Sequence, residues 1–257
     1  MKQRIITAII AIAIFVPVVY LGGIPFATVI YLAGTVGLYE LLRMKKMSIV
    51  SVPGLLSFLL LWLLLAPHTW LIHAYKMEGI VVAVLLFLTY SVLTKNRFTF
   101  DEVGFALLST VYVGMGFCYM LEIRSGGLVY LLFALFIIWA TDSGAYFVGR
   151  AVGKKKLWPE ISPNKTIEGA VGGVVCALVV AALFFFFAPL DQSLIYLLLI
   201  GLVISIFGQI GDLAQSAFKR HYGVKDSGKI LPGHGGILDR FDSLLFILPI
   251  LYFLMMA

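Results

Sequence analysis

An all-α fold that crosses a membrane many times is what the sequence predicts, and three observations predict it. The 257-residue chain is 61% hydrophobic and only 12% charged, with a mean hydropathy of +1.04. Soluble domains run at roughly 45–50% apolar and about 25% charged. The apolar residues form long runs between short polar loops, where a barrel would show alternating segments of about ten residues. The third observation is that the basic residues sort to one side of those runs.

A span needs about 20 residues, and about nine runs qualify. They fall near 5–21, 24–42, 51–70, 79–94, 103–121, 127–149, 167–188, 193–214 and 241–257. Lys2 and Arg4 before the first run imitate a signal peptide. No Ala-x-Ala-like cleavage site follows, and Gly22-Gly23-Ile24-Pro25 leads straight into the next run, so a first transmembrane helix is expected. Pro67 limits the third run, and the ninth has little length to spare. Alternating sides put Lys2, Arg4, Arg43, Lys45, Lys46, Lys95, Arg97, Arg150, Lys154 to Lys156, Lys165, Lys219, Arg220, Lys225, Lys229 and Arg240 together. The other side receives only Lys76 and Arg124. The positive-inside rule then sets the N-terminus in the cytoplasm and the C-terminus outside. It also accounts for the net charge of +6, so no nucleic-acid partner is needed.

Small residues inside spans, such as Gly169, Gly172 and Gly173, suit close helix packing. Phe184 to Phe187 read as a lipid-facing patch near the outer surface. Cys118 and Cys176 lie in apolar runs as small core residues rather than a disulfide. No Cys/His spacing suits zinc.

The longest polar interval, residues 211–242, holds four of the thirteen carboxylates: Asp212, Asp226, Asp239 and Asp242. Charge within a span is costly and marks function by default. Asp142 lies about seven residues before the cytoplasmic end of the sixth span, roughly 10 Å deep. Asp212 ends the eighth span, and Asp239 and Asp242 open the ninth. Spacing of i, i+3 sets the last two on one helix face, where they repel unless a cation or proton intervenes. Oxygen ligands alone point to magnesium. Capping of helix ends is the plainer explanation for any one of these acids; it explains their convergence less well. Lys45, Lys46 and Lys154 to Lys156 suit contact with anionic lipid heads. Lys219, Arg220, Lys225 and Arg240 alternate with acids beside Pro232-Gly233-His234-Gly235-Gly236, a turn able to aim N–H groups at an anion.

Residues Gly223 to Lys229 imitate a P-loop. Ile230 stands where Ser or Thr should hold magnesium and no strand precedes it, so that match is rejected. In the loop before the seventh span, Asn164 or Thr166 is available as a helix cap and Glu168 suits a first turn. Lys165 is placed to reach the same anion.

These residues resemble the phosphatidate cytidylyltransferases, also called CDP-diacylglycerol synthases. The family pattern runs through Ser216, Lys219-Arg220, Lys225-Asp226, Pro232, His234-Gly235-Gly236 and Asp239-Arg240-Phe241-Asp242 without departure. Asp142 to Arg150 and Ser162 to Gly169 resemble further family segments; Asn164 stands where a second basic residue is usual. The first hundred or so residues match only as generic spans. The resemblance implies transfer of the cytidylyl group of CTP to phosphatidate with magnesium, in a homodimer with a polar cavity open to the cytoplasm. It implies Asp212, Asp239 and Asp242 as metal ligands, with potassium as an accompanying cation. Lys219 and Arg220 are expected to act with them in catalysis. Substrate binding falls to Lys165, Ser216, Lys225, His234, Gly235, Gly236 and Arg240, supported by Asp142, Thr166, Glu168 and Asp226. Residues 1–125 form the scaffold with dimer or lipid contacts. Residues 126–257 carry catalysis, with loops 150–166 and 215–240.

Two other classes remain open on sequence. A CTP-dependent polyprenol kinase would release CDP instead of pyrophosphate. A transporter would also carry acids in several spans, but here they gather at one face and the outer half is nearly free of charge.

Overall fold

The computed structural model describes the backbone of residues 2–256, with side chains at residue 7 and residues 9–256. The side chains of Lys2 and Arg4, counted above, lie outside that range. Among the described residues the order is α1 (Lys2–Leu21), α2 (Gly23–Met44), α3 (Val52–Leu64), a 3₁₀ turn (Leu71–Tyr75), α4 (Lys76–Leu93), α5 (Phe100–Gly126) and α6 (Leu128–Val152). A hairpin of β1 (Lys156–Trp158) and β2 (Ser162–Thr166) follows, then α7 (Ile167–Phe187), α8 (Leu194–His221) and α9 (Leu238–Met255).

Among the described residues, six helical stretches are long and apolar enough to cross a membrane: α2, Leu71–Leu93, α5, α6, α7 and α8. The third expected span is cut to α3, 13 residues or about 20 Å of helix, against a hydrocarbon core of about 30 Å. Its end has a local cause. Pro67 lacks an N–H and disfavours helix at Ala66. The apolar part of α1, Ile9–Leu21, is also short. In α9, Asp239, Arg240 and Asp242 crowd the first turns of an 18-residue helix.

Two compact units make up the chain. Unit 1 is Met1–Glu122 with Asp226–Asp239; unit 2 is Ile123–Lys225 with Arg240–Ala257. In unit 1, α3, α4 and the start of α5 enclose a core of Leu60, Leu64, Ala83, Phe87, Phe98, Val103 and Ala106. Ser51 caps α3 by accepting from Gly54 N–H at 3.3 Å. Cys118 is buried here and accepts from Lys76 Nζ at 3.1 Å.

In unit 2, α6 and α7 meet along the small residues of α7. A Cβ at Gly144 would sit 2.6 Å from Cys176 Sγ, and one at Gly173 would sit 2.7 Å from the Thr141 carbonyl. The opposite face of α7 exposes Val171, Val175, Val179 and Phe186. Between apolar helices in lipid, such close packing replaces the hydrophobic drive that water supplies elsewhere. The Phe184–Phe187 run is divided: Phe186 and Phe187 are exposed, whereas Phe184 stacks edge-on against Phe133 at 5.2 Å. Both cysteines are free.

Two local departures matter for the site. The loop 150–166 folds as an antiparallel hairpin, pairing Lys156 with Thr166 and Trp158 with Ser162. The helix α8 runs on to His221, seven residues past the expected end. Ala-Gln-Ser-Ala-Phe-Lys-Arg-His offers no breaker, and Lys219, Arg220 and His221 suit the negative end of the helix dipole. The stop comes at Gly223, whose φ of 66° takes the left-handed conformation that ends helices.

Candidate functional site

Unit 2 gathers charge at the end of α8. Asp212, Gln215, Ser216 and Lys219 follow i, i+3, i+4, i+7 spacing and share one helix face. Lys165, delivered by β2, forms an ion pair with the Asp212 carboxylate, both side chains being partly buried. Ser216 Oγ donates to Asp212 Oδ1 at 3.4 Å. Arg220 Nε donates to the Ile161 carbonyl at 3.4 Å, tying α8 to the hairpin. The hairpin is anchored in turn at the start of α7. Thr166 Oγ1 accepts from Gly169 N–H at 3.1 Å, so Thr166 is the cap and Asn164 stays within β2. Glu168 accepts from the N–H groups of Lys154 at 3.1 Å and Lys155 at 3.2 Å.

Gly211 lets α9 approach. A Cβ there would lie 2.7 Å from Phe246 Cβ and 3.0 Å from the Asp242 carbonyl. Asp142, Asp212 and Asp242 lie within electrostatic reach of one another, with Lys165 acting on Asp142 and Lys219 on Asp242. Asp242 Oδ1 also accepts from Ser243 N–H at 2.8 Å. Lys225 and Arg240 belong to this unit and are exposed.

Sequence reasoning passed over Gln215. It is 1% exposed, and neither its amide oxygen nor its nitrogen has a partner among the described residues. A buried amide left so is costly. An ion, water or phosphate beside Asp212 would satisfy it.

Unit 1 holds the other expected residues: Asp226, His234, Gly235, Gly236 and Asp239. The turn closes through Leu231 N–H to the Gly235 carbonyl at 3.0 Å and His234 N–H to the Leu231 carbonyl at 2.8 Å. Thr7 Oγ1 holds the Pro232 carbonyl at 2.9 Å. Gly235 has φ 85°, a conformation that side chains rarely adopt. Asp239 Oδ2 gathers the loop by accepting from Ser227 N–H at 2.8 Å, Gly236 N–H at 2.9 Å and Ser227 Oγ at 3.1 Å. The amide donors of His234 and Gly236 are thus engaged inside the loop.

Glu40 of α2 reaches the same loop and was also missed. It is 2% exposed. It accepts from Ser227 Oγ at 2.7 Å, Ile237 N–H at 2.9 Å and Leu238 N–H at 3.0 Å. One signal was available: Glu40 is the sole acid of an apolar span. Its partners, 187 to 198 residues away, leave no trace in local periodicity.

No three His, Cys, Asp or Glu side chains among the described residues form a group that could hold a metal by themselves. The donors are all oxygens, however. Magnesium ordinarily takes one or two carboxylates and completes its shell with water and substrate phosphates. The carboxylates of unit 2 fit that demand without a closed cage.

Fold and site together define a helical membrane protein whose carboxylates and cations collect at helix ends, a chemistry suited to phosphate groups. The model for the cytidylyltransferase family matches residues 2–257, so the chain belongs to that family. A relative from Bacillus subtilis (strain 168), named phosphatidate cytidylyltransferase, is 58% identical over 99% of this chain and 97% of its own. Relatives of the same name from Staphylococcus haemolyticus and Staphylococcus aureus (strain COL) are 48% and 47% identical, each over 99% of both chains.

Proposed function

We propose that the protein is an enzyme that transfers the cytidylyl group of CTP to phosphatidate. The observation that carries this reading is the end-to-end likeness to relatives named phosphatidate cytidylyltransferase. An oxygen of the phosphatidate phosphate attacks the α-phosphorus of CTP. The bond to the bridging oxygen breaks, and pyrophosphate leaves as CDP-diacylglycerol forms. The doubly ionised nucleophile needs no strong base. The difficulty is to bring two anions together and to stabilise charge on the leaving group, which cations in a water-poor site do well.

Lys219 and Arg220 serve the reacting phosphates. Lys165, Lys225 and Arg240 hold the CTP phosphates or the lipid head group, assisted by Ser216 and by the turn His234-Gly235-Gly236. Support for these roles comes from the Lys165–Asp212 pair and from Lys219 acting on Asp242. Asp212, Asp239 and Asp242 are the carboxylates proposed for magnesium, with potassium as a second cation; bound there, the metal would neutralise phosphate charge. Asp142, Thr166, Glu168 and Asp226 support the arrangement. The chain spans the cell membrane about nine times as a homodimer, with its N-terminus and active site on the cytoplasmic side and its C-terminus outside. The sorted basic residues support that orientation.

The test is purified protein in detergent with labelled CTP, phosphatidate and magnesium. Labelled CDP-diacylglycerol with release of pyrophosphate is expected; absence of that product overturns the reading. Direct attack further requires inversion at the α-phosphorus, measurable with chiral thio-CTP. Retention would reveal a covalent intermediate.

A further inference from the structure

A carboxylate inside an apolar helix is costly unless donors surround it. Glu40 meets that condition with three donors, all from the loop 226–239 and the start of α9. Two of them, the N–H groups of Ile237 and Leu238, lie at the entry of α9, where backbone donors have no partner within the helix. A negative group there also suits the positive end of the dipole. Glu40 thus caps α9 from another helix. The fit is tight: a Cβ added at Gly228 or Gly236 would collide with the Glu40 carboxylate.

Ser227 joins this carboxylate to a second one. Its hydroxyl has one hydrogen and faces two acceptors, Glu40 Oε2 at 2.7 Å and Asp239 Oδ2 at 3.1 Å. The shorter contact assigns the hydrogen to Glu40. Asp239 Oδ2 then rests on the N–H groups of Ser227 and Gly236. With Oδ2 held in the loop, the direction of Oδ1 is set as well.

We propose that Glu40 is a positioning residue for cytidylyl transfer: through Ser227 it holds the loop 226–239 and the Asp239 carboxylate in the conformation that receives the phosphates of the nucleotide. This rests on the function proposed above. Glu40 touches no reacting atom; its effect passes through the hydroxyl and the two backbone donors.

The test is a cycle of Glu40→Gln, Ser227→Ala and the double variant in the full-length protein. It is read by kcat and KM for CTP and by hydrogen exchange of the amides in 226–239. Glutamine has the shape of glutamate, but its NH₂ group must face either Ile237 N–H or Leu238 N–H, so one donor loses its acceptor. Glu40→Gln should lower kcat/KM by about tenfold or more and speed exchange at Gly236 to Leu238. Ser227→Ala should lower kcat/KM by about fivefold. Part of the Glu40 effect runs through the Ser227 hydroxyl, so Glu40→Gln should cost less in the Ser227→Ala background than in wild type. Glu40→Asp, one methylene short but still an acceptor twice over, should recover part of the loss.

Folded Glu40→Gln with kcat/KM within about twofold of wild type would overturn the proposal, as would losses that simply multiply in the double variant. A lower melting temperature with unchanged kinetics of the folded fraction would also overturn it, leaving a structural role alone. Should Glu40→Gln fail to fold, Ser227→Ala carries the test, and wild-type kinetics in that variant are overturning. Should the wild-type protein make no CDP-diacylglycerol, the functional reading fails by itself. Exchange at Gly236 to Leu238 then still decides whether Glu40 holds the loop.

Discussion

The loop 226–239 in unit 1 and the α8–hairpin cluster in unit 2 handle negative charge in opposite ways. In the loop, Glu40 and Asp239 accept from neutral donors, among them the backbone N–H groups of Ser227, Gly236, Ile237 and Leu238. Their charge is absorbed locally and becomes shape. In unit 2, Asp142, Asp212 and Asp242 lie within electrostatic reach of one another, with Lys165 paired to Asp212 and Lys219 acting on Asp242. Carboxylates that repel in this way retain an attraction for added positive charge. One residue type thus builds a loop in one region and an unbalanced field in the other.

The largest expected effects bear on that contrast directly. Asp242→Ala and Asp239→Ala should each leave less than about a tenth of wild-type turnover, at least about 1.4 kcal/mol of barrier. The reasons differ, and thermal unfolding should separate them. Asp239→Ala releases the donors of Ser227 and Gly236 and should lower the melting temperature. Asp242→Ala removes a carboxylate with repelling neighbours and should leave it nearly unchanged. Equal destabilisation by both would break the comparison.

Gly236→Ala comes next. Its Cβ would meet Ser227 and Glu40 at once, so overpacking of about 1–3 kcal/mol is expected, visible as lost stability and a several-fold fall in turnover. Lys165→Ala is smaller and sharper. It removes the ion pair with Asp212 and should raise the half-saturating CTP concentration by roughly three- to tenfold, about 0.7–1.4 kcal/mol. High salt should narrow the gap between variant and wild type, because screening weakens the pair already. A salt-independent gap would argue against a mainly electrostatic role. The smallest effect belongs to Thr166→Ala, which removes the α7 cap for about 1 kcal/mol and should shift the melting temperature by about 2–4 °C.

Much of this was legible before any coordinates. Long apolar runs predict the helices, and a strictly local pattern, Ser216 to Asp242, carries the family resemblance. Local chemistry also predicts that Thr166 or Asn164 caps α7, and Thr166 does so. Where two local cues compete, the structure shows which prevails. The eighth expected span ends where hydropathy falls, and helix propensity carries the helix beyond it through Lys219 and Arg220 to His221. The third run reaches residue 70 by hydropathy but is limited by Pro67, and the helix ends earlier still, at Leu64. The run Phe184 to Phe187 reads as one lipid-facing patch, whereas helix geometry turns Phe184 toward Phe133.

The sequence by itself determined that this is a helical membrane protein and which charged residues it sets at helix ends. Those are properties of composition, periodicity and short-range spacing. Only the tertiary structure decided where the carboxylates find their partners. Residues 226–239 join α2 in unit 1, Lys165 is delivered to Asp212 by a hairpin, and Glu40 takes the first donors of α9. The physical reason is range. A helix, or a local cap such as Thr166, is settled within about four residues, whereas a buried carboxylate is satisfied by whichever donors packing brings to it.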